Sequence, residues 1–254
     1  MKLATWNVNS IKVRLPQLID WLAAARPDVL CLQEIKTEEA KFPRAELESA
    51  GYGAAVSGQK TYNGVAILSP SPLLDLNFGM PGFPDEQRRA IAASVGDLRV
   101  ICVYCPNGQA VGSEKYGYKL RWFAALKEYL AAEFSRHPKL AVAGDFNVAP
   151  EDRDVHDPKA WEGQVHVSEA ERKAWHALLE LGLKDAFRLF EQPAKAFSWW
   201  DYRMLGFRRN AGLRIDQILL SADLAARCTA CAIDRAPRKL ERPSDHAPVI
   251  AEIA

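Results

Sequence analysis

The segment from Lys2 to Glu34, KLATWNVNSIKVRLPQLIDWLAAARPDVLCLQE, decides the fold class. Residues 2–8 alternate as a strand does, and residues 12–25 carry leucine and isoleucine at helical spacing. Residues 28–32 form a short apolar run that is typical of a buried strand. A strand–helix–strand unit joins two parallel strands. The sequence therefore predicts an α/β protein.

The rest of the chain alternates short apolar runs with glycine and proline turns. Strands are predicted near 52–57, 64–69, 73–78, 89–95, 98–105, 139–143, 213–220, 228–234 and 247–253. Helices are predicted over 115–136 and 168–181, the second with a capping box of Ser168 and Glu171, and residues 150–167 and 194–212 are predicted loops. This order predicts two packed β-sheets covered by helices, folded as one domain over residues 1–254.

Composition narrows the classes of function. The 254 residues are 48% hydrophobic and 26% charged, which is ordinary for a globular protein. No apolar run approaches the ~20 residues of a membrane span, and the N-terminus lacks the pattern of a signal peptide. The five cysteines include two C-x-x-C matches in strand-like runs, where they are expected to be buried free thiols. We therefore expect a cytoplasmic protein without a membrane partner.

The net charge of the chain does not indicate a partner, but the distribution of its basic residues does. The formal net charge is +1, so it does not indicate a nucleic-acid partner by itself. Basic residues concentrate in two segments, which contain Arg203, Arg208, Arg209 and Arg214, and Arg235, Arg238, Lys239 and Arg242. Solvated loop charge is the ordinary interpretation of either segment alone. Because the segments flank Asp216 and Asp245, phosphate contacts are the favoured interpretation.

Polar side chains follow the two strands of the first unit. Asn7 ends the first strand, and Gln33 and Glu34 end the second. Side chains at the ends of adjacent parallel strands meet at one edge of a sheet. An amide and a carboxylate there form a small oxygen-rich site, and Mg²⁺ needs only one or two protein carboxylates beside its waters. Glu34 is therefore the predicted primary metal ligand.

A second cluster, Gly144-Asp145-Phe146-Asn147, follows the buried strand at 139–143. In an extended segment Asp145 and Asn147 point the same way. A carboxylate can orient or deprotonate water, and a neutral amide can donate to a phosphate oxygen that gains charge. An Asx-type turn is an equally good interpretation of the tetrapeptide alone.

A third group places an acid beside a histidine. Asp216 interrupts an apolar run, where a carboxylate is costly unless it is paired, and His246 is its predicted partner. Such a pair fixes the imidazole tautomer and raises its basicity. Asp245 is expected to serve the metal site directly or through water, and Tyr104 closes a further strand at the same edge.

These motifs, in this order, resemble the exonuclease III family of abasic-site endonucleases, within the endonuclease/exonuclease/phosphatase superfamily. The resemblance runs along nearly the whole chain and rests on Trp6–Ser10, Leu32–Glu34, Asn63–Ala66, Arg88–Arg89, Gly144–Asn147, Trp199–Arg203, Gly212–Asp216 and Ser244–Pro248. It implies a four-layer α/β sandwich of two mixed β-sheets and dependence on Mg²⁺ or Mn²⁺. We also expect a monomer. The implied substrate is duplex DNA with abasic sites, nicks or blocked 3′ ends.

The resemblance also assigns roles. Asn7 and Glu34 belong to the metal site with Asp245 nearby, and Tyr104 contacts the phosphate. It implies that Asp145 and Asn147 orient the water and stabilise the pentavalent transition state. It also implies that Asp216 and His246 form the supporting pair. Either Asp145 or His246 could be the general base in this pattern.

Further positions match the family's DNA contacts. Trp199, Leu213 and Ile215 match a small apolar pocket for a flipped-out sugar without a base. Loop positions that press into the DNA grooves are matched by Asn107, Arg203 and Met204. His166 stands where abasic endonucleases of this family carry a smaller residue, and this departure predicts weaker internal abasic cleavage and stronger 3′-end processing.

Two other interpretations compete with a DNA-repair nuclease. One is a phosphatase of the same superfamily that acts on phosphoinositides or sphingolipids, against which the segment from Trp199 to Asp216 argues. The other is a non-catalytic nucleic-acid-binding regulator on the same scaffold. A regulator is expected to have broken clusters, whereas all of these are intact here. A soluble domain with ordinary solvated loops would not produce six coincident polar clusters.

Overall fold

The strands of the protein form two large sheets and one small ribbon in a computed structural model that describes residues 1–254. They are β1 (Lys2–Asn7), β2 (Val29–Gln33), β3 (Gly53–Ser57), β4 (Val65–Ser69), β5 (Leu74–Phe78), β6 (Ala90–Val95), β7 (Leu98–Tyr104), β8 (Leu140–Asp145), β9 (Lys184–Asp185), β10 (Trp199–Trp200), β11 (Gly212–Leu213), β12 (Asp216–Leu220), β13 (Cys228–Ile233) and β14 (Val249–Ile253). The helices are α1 (Ile11–Ala25), α2 (Arg44–Ser49), α3 (Glu114–Arg136), α4 (Pro158–Trp161), α5 (Glu169–Leu179) and α6 (Ala222–Arg227).

Each large sheet has six strands and contains one parallel pair. The first sheet has the order β13-β14-β1-β2-β4-β3, and the second has the order β5-β6-β7-β8-β12-β9. The pairs β1–β2 and β7–β8 are parallel, and every other pair within these sheets is antiparallel. The connections in the two parallel pairs carry α1 and α3, as parallel strands require a crossover. Both sheets are therefore mixed.

Three apolar clusters stack these elements into four layers. The largest comprises 22 buried residues and lies between the sheets, with members such as Val29 and Val100. A second cluster packs α3 and α5 on the outer face of the second sheet, and a third packs α1 and α2 on the outer face of the first. The predicted four-layer α/β sandwich is confirmed. No helix in the structure has the length and apolar character needed to cross a membrane.

Most predicted elements form, with three corrections. The 213–220 strand is two pieces, since Leu213 pairs in the small ribbon and β12 begins only at Asp216. The loop at 150–167 contains α4, which Asp157 caps by accepting from the Ala160 N–H. The short helices α2 and α6 and the short strands β9 and β10 were not predicted, and β10 lies within the predicted loop at 194–212. The capping box of Ser168 and Glu171 is present.

Candidate active site

Strand register aligns three predicted site residues across the second sheet. Tyr104 lies opposite Asp145 in the parallel β7–β8 pair, and Asp145 lies opposite Asp216 in the antiparallel β8–β12 pair. Directly opposite residues project from the same face of a sheet. Gly144 permits this close pairing, because a Cβ there would lie 1.9 Å from the Val103 carbonyl oxygen.

Asn7 joins the first sheet to the second. It lies opposite Gln33 in the β1–β2 pair, one residue before Glu34. Its Nδ2 donates to Glu34 Oε1 at 2.9 Å and to Asp145 Oδ2 at 3.0 Å. Its Oδ1 accepts from the Asn9 N–H at 3.0 Å, so Asn7 holds the two carboxylates through its nitrogen. Glu34 itself has a φ of +49°, a strained conformation of the kind that clusters at functional sites.

Two carboxylates and one histidine ring meet closely enough to surround a single ion or phosphate group. Ligand atoms of Glu34, Asp145 and His246 all lie within 4.8 Å of one another. The Glu34 carboxylate already attracts a positive group, since Lys36 Nζ lies 2.8 Å from its Oε2 and 2.6 Å from Asn9 Oδ1. Carboxylate oxygens beside a partly exposed glutamate suit a hard divalent ion. The residues present therefore fit the Mg²⁺ or Mn²⁺ that the resemblance implies.

His246 is held by a buried acid. Its Nδ1 lies 2.9 Å from Asp216 Oδ2 and 3.1 Å from Oδ1, and its Nε2 lies 3.8 Å from Asp145 Oδ2. Burial lowers the pKa of His246, but the charges of Asp216 and Asp145 outweigh it and raise the pKa to about 10. The ring is therefore an imidazolium at neutral pH, with its Nε2 proton facing the site. The backbone N–H groups of Ile215 and Asp216 both donate to Ser198 Oγ, which fixes the start of β12.

Asp145 has the environment of a proton acceptor. Burial and the nearby charge of Asp216 raise its pKa, and His246 and the Asn7 hydrogen bond lower it, which leaves a pKa of about 7. Its Oδ1 accepts from the Asn147 N–H at 2.9 Å, so the carboxylate orientation is fixed by the turn that follows β8. A carboxylate with a pKa near neutrality suits general acid–base chemistry.

Tyr104 lines the same site. Burial, together with the charges of Glu34 and Asp145, holds the pKa of its hydroxyl well above the ordinary value, so the phenol stays protonated. The Arg89 guanidinium lies 4.8 Å from the centroid of the Tyr104 ring, and its Nη1 donates to the Tyr104 carbonyl. A neutral tyrosine can donate a hydrogen bond to a phosphate oxygen.

Asp245 lies beside the cluster but is not part of the group that Glu34 and Asp145 form. Its Oδ1 accepts from Asn9 Nδ2 at 2.8 Å and its Oδ2 from Trp199 Nε1 at 3.0 Å. Burial raises the pKa of Asp245, but the charge of His246 and these two hydrogen bonds lower it below the ordinary value. Asp245 is therefore ionised, and Asn9 and Lys36 connect it to Glu34.

The predicted sugar-pocket residues gather in one small apolar cluster. Leu213 and Ile215 are buried within it, and Trp199 is half-buried at its edge. The ring of His166 packs against it, with its centroid 6.5 Å from that of Trp199 and 6.2 Å from that of Trp161. The imidazole is buried, so it occupies space at the mouth of this cluster.

The predicted groove-contacting residues are in two places. Met204 is 79% exposed on a protruding turn, next to Arg203, which pairs with Asp201. Asn107 is also exposed, and its Nδ2 lies 3.3 Å from His166 Nε2. Asn107, Arg203 and Met204 are all exposed, and their contact with DNA grooves stays a prediction.

Two of the predicted phosphate contacts are corrected. Arg214 is buried, with its Nε 2.6 Å from Asp154 Oδ1 and its Nη2 2.8 Å from Asp185 Oδ2. Arg238 is buried against Trp200, Tyr202 and Phe207. A basic residue beside a site motif can equally be a buried structural cation, and the sequence pattern does not separate the two uses. Trp200 is likewise a core residue.

Sequence reasoning missed several side chains that support the site, namely Asn9, Lys36, Lys119, Glu171 and Ser198. Asn9 lay within a quoted motif, but its φ of +43°, which turns its amide between Lys36 and Asp245, has no signature in the residue types. Glu171 was predicted only as half of a capping box, and the other three are single polar residues in helices or turns, so only their contacts link them to the site.

The fold and this shared edge of the two sheets define a class of protein, a metal-assisted phosphodiester hydrolase on a two-sheet α/β scaffold. The model of the Endonuclease/Exonuclease/phosphatase family matches residues 4–246. Exodeoxyribonuclease III of Haemophilus influenzae is 37% identical over 265 aligned residues, which cover 99% of each chain. The chain belongs to this family and is a nuclease of the exodeoxyribonuclease III type, as its motifs predicted.

Solved structures agree with this assignment. A 3′ phosphatase from Neisseria, bound to a product DNA hairpin, has a TM-score of 0.98 at 50% identity, covering 100% of this chain and 99% of that one. An AP endonuclease from Archaeoglobus fulgidus has a TM-score of 0.96 at 42% identity, with the same coverage. Both kinds of activity thus occur on nearly identical folds.

Proposed function

We propose that this chain is a magnesium-dependent DNA-repair enzyme that hydrolyses phosphodiesters at abasic sites and removes phosphates, other blocking groups and nucleotides from 3′ ends. Its substrates are duplexes with abasic sites, nicks or blocked 3′ ends. The convergence of Glu34, Asp145 and His246 within 4.8 Å is the observation that carries the proposal. It supplies an acid, a base and a cation site to one phosphorus centre.

Glu34 would hold the metal, with Asn7 orienting its carboxylate and Asp245 contributing through the Asn9 network. A bound Mg²⁺ would neutralise charge on the phosphate oxygens. His246 donates its Nε2 proton toward a phosphate oxygen, and Tyr104 donates its hydroxyl proton. Both groups are preorganised donors for the charge that develops in the transition state.

Asp145 acts as the general base on the attacking water in this proposal. An imidazolium cannot accept a further proton, and His246 is protonated at neutral pH, whereas the Asp145 pKa of about 7 leaves a carboxylate available. Asn147 donates one Nδ2 proton to the Cys105 carbonyl at 2.9 Å and keeps the other for a phosphate oxygen. Asp216 holds the His246 ring in place throughout.

The substrate preference within this activity is a bias toward 3′ ends. His166 fills the mouth of the apolar cluster that Trp199 borders, so a flipped sugar inside a continuous strand meets a buried imidazole there. A 3′-terminal group has no downstream strand to hold and needs less space. The Neisseria 3′ phosphatase, at 50% identity, supports this preference.

We also propose that the protein is a monomer that folds as one domain and works in the cytoplasm. The single apolar cluster between the sheets contains residues from both halves of the chain, which supports one folding unit. All five cysteines are free thiols, which is compatible with a reducing compartment.

Digestion of three matched duplexes tests the proposal. One carries an internal abasic analogue, one a 3′-phosphate at a nick and one a clean recessed 3′ end, each with Mg²⁺, with Mn²⁺ and with chelator. We expect metal-dependent product from the second and third and little from the first. DNA binding without any product would favour a regulator, and faster release of phosphate from a phosphoinositide than from nicked DNA would favour a lipid phosphatase.

A further inference from the structure

A completely buried ion pair lies behind the active site. Lys119 of α3 and Glu171 of α5 have no exposed side-chain surface, and Nζ lies 2.5 Å from Oε1. Removing two charges from water costs several kcal/mol per ion, which their attraction offsets only when the geometry is good. A pair of this kind contributes little to stability compared with apolar packing, so its contacts indicate its role.

The Lys119 ammonium uses all three of its protons on groups around the site. Besides Glu171, it donates to the Asn147 carbonyl at 2.7 Å and to the Asn107 carbonyl at 3.1 Å. Glu171 Oε1 also accepts the His166 N–H at 3.0 Å. One buried pair thereby holds the backbone of three predicted site residues, which come from three separate loops.

The backbone conformations at these points need such support. Asn147 has a φ of +53° and His166 a φ of +77°, both in the left-handed region. Asparagine and histidine adopt this region more often than most residues, yet it is sparsely populated, and surrounding contacts fix it here. Gly108 completes the packing, since a Cβ there would lie 3.0 Å from Lys119 Cδ.

The same network selects one tautomer of His166. Its Nδ1 lies 2.6 Å from the Asn147 carbonyl oxygen, which can only accept, so Nδ1 carries the proton. Its Nε2 faces Asn107 Nδ2 at 3.3 Å, and Asn107 is oriented by its Oδ1, which accepts from the Gln109 N–H. The ring is therefore a neutral acceptor toward Asn107 and a donor toward Asn147.

We infer that Lys119 and Glu171 form a positioning pair. By holding the backbone of Asn147 and His166, the pair sets the rotational position of the Asn147 side-chain amide and keeps the His166 imidazole, in its Nδ1–H form, at the mouth of the sugar cluster. The inference rests on the proposed function for its consequence in catalysis. Neither residue touches the substrate. Loss of the pair leaves the catalytic groups present but lets Asn147 and His166 move relative to Asp145.

The chain contains a matched control. Arg99 and Glu133 form a second buried ion pair, 2.6 Å apart, which also involves α3 but touches no site residue. Lys119→Met and Arg99→Met each remove one buried cation; Glu171 then keeps the His166 and Ser168 N–H donors, and Glu133 keeps Arg136. Both variants are expected to lose stability, and only the first is expected to alter the site.

The test combines kinetics on the 3′-phosphate duplex with ¹⁵N–¹H NMR of the histidine rings. Lys119→Met is expected to lower kcat by about 10- to 100-fold, the scale of a small misplacement of reacting groups, with KM within about threefold. The His166 signal, assigned by its loss in His166→Asn, is expected to show one Nδ1–H tautomer in the parent protein and a mixture in Lys119→Met. If Lys119→Met does not fold, the same two measurements on Glu171→Gln test the inference.

Parent-like kcat and an unchanged His166 tautomer in folded Lys119→Met would overturn the inference. An equal loss of kcat in Arg99→Met at the same melting temperature would also overturn it, since the effect would then be general destabilisation. A parent protein that is inactive on all three duplexes would refute the proposed function instead, while the tautomer measurement would still test the pair.

Discussion

The two strand–helix–strand units of the protein have the same topology and bring different chemistry to the site. The first unit is β1–α1–β2 and ends in Glu34, whose side chain is 18% exposed and faces Lys36. The second is β7–α3–β8 and ends in Asp145, which is 1% exposed and lies between Tyr104 and Asp216. One unit thus presents an accessible carboxylate, and the other a buried one.

The difference in burial separates the two roles. A carboxylate at the surface keeps its charge and its attraction for a cation, whereas burial next to a second acid disfavours the charged form. Burial is accordingly the largest cause of the raised pKa of Asp145. In the proposed mechanism, the carboxylate one residue after the first unit serves metal binding, and the carboxylate that ends the second unit serves proton transfer. Substitutions at each end test whether the division holds.

The largest effect is expected at the proton-transfer end. Asp145→Asn and His246→Asn should each lower kcat by at least ~100-fold at saturating Mg²⁺, the scale of a lost proton-transfer or charge-stabilising partner. Single-turnover hydrolysis of the 3′-phosphate duplex measures this. Asp152→Asn, at a 73% exposed carboxylate paired with Arg172, is the control. Near-normal turnover in either variant would remove that residue from the mechanism.

A different kind of loss is expected at the metal end. Glu34→Gln should raise the Mg²⁺ concentration for half-maximal rate by at least about tenfold, because a neutral amide is a weaker ligand than a carboxylate. DNA binding in chelator should stay nearly unchanged, because the proposed role of Glu34 is to hold the metal and not to contact the DNA. Rate against Mg²⁺ concentration, with binding measured by fluorescence anisotropy in chelator, separates the two. An unchanged metal requirement would refute the ligand role and with it the division between the units.

The ends of both units could be predicted because the signals there are local. Parallel strands with polar residues at their ends imply a shared edge, so Asn7, Glu34 and Asp145 were found from the order of apolar runs. The Asp216–His246 pair was also found, because a carboxylate in an apolar run needs a partner. The pairing register of the strands brings these side chains together, and the positions of the apolar runs in the sequence predict that register only approximately.

The support behind the site could not be predicted, since it depends on tertiary contacts. Lys119 and Glu171 lie in amphipathic helices, where charged residues are ordinarily exposed. Arg214 and Arg238 were expected to meet phosphate, and the structure buries them instead. Residue type reports charge, and only packing reports whether that charge faces solvent, substrate or a buried partner.

An intermediate effect is expected beyond the end of the second unit, at His166. His166→Gly should raise kcat/KM on the internal abasic duplex by about tenfold, because removing the buried ring frees space beside Trp199. Glycine also accepts the positive φ at this position. The 3′-phosphate duplex, assayed in parallel, reports any general damage. His176→Ala, at an exposed position of α5, is the control. No gain on the abasic duplex would count against His166 as the determinant of specificity.

The smallest effect concerns stability in acid, and it sharpens the contrast between a surface group and a buried one. Burial and the charge of Lys119 lower the pKa of His166 to about 3, against 6.5 for an unperturbed histidine. The stability that depends on its neutral form is therefore complete above pH 6.5 and is lost as the pH falls toward 3, at about 1.4 kcal/mol per pH unit.

His166→Asn removes this titration while keeping a residue that tolerates positive φ. Its melting temperature should fall less between pH 7 and pH 5 than that of the parent protein, by a few degrees, as circular dichroism at several pH values would measure. His176→Asn should fall in parallel with the parent, since that side chain is exposed. Parallel curves for the parent and His166→Asn would mean that the imidazole accepts a proton without cost, and that the buried network around Asn147 does not hold it neutral.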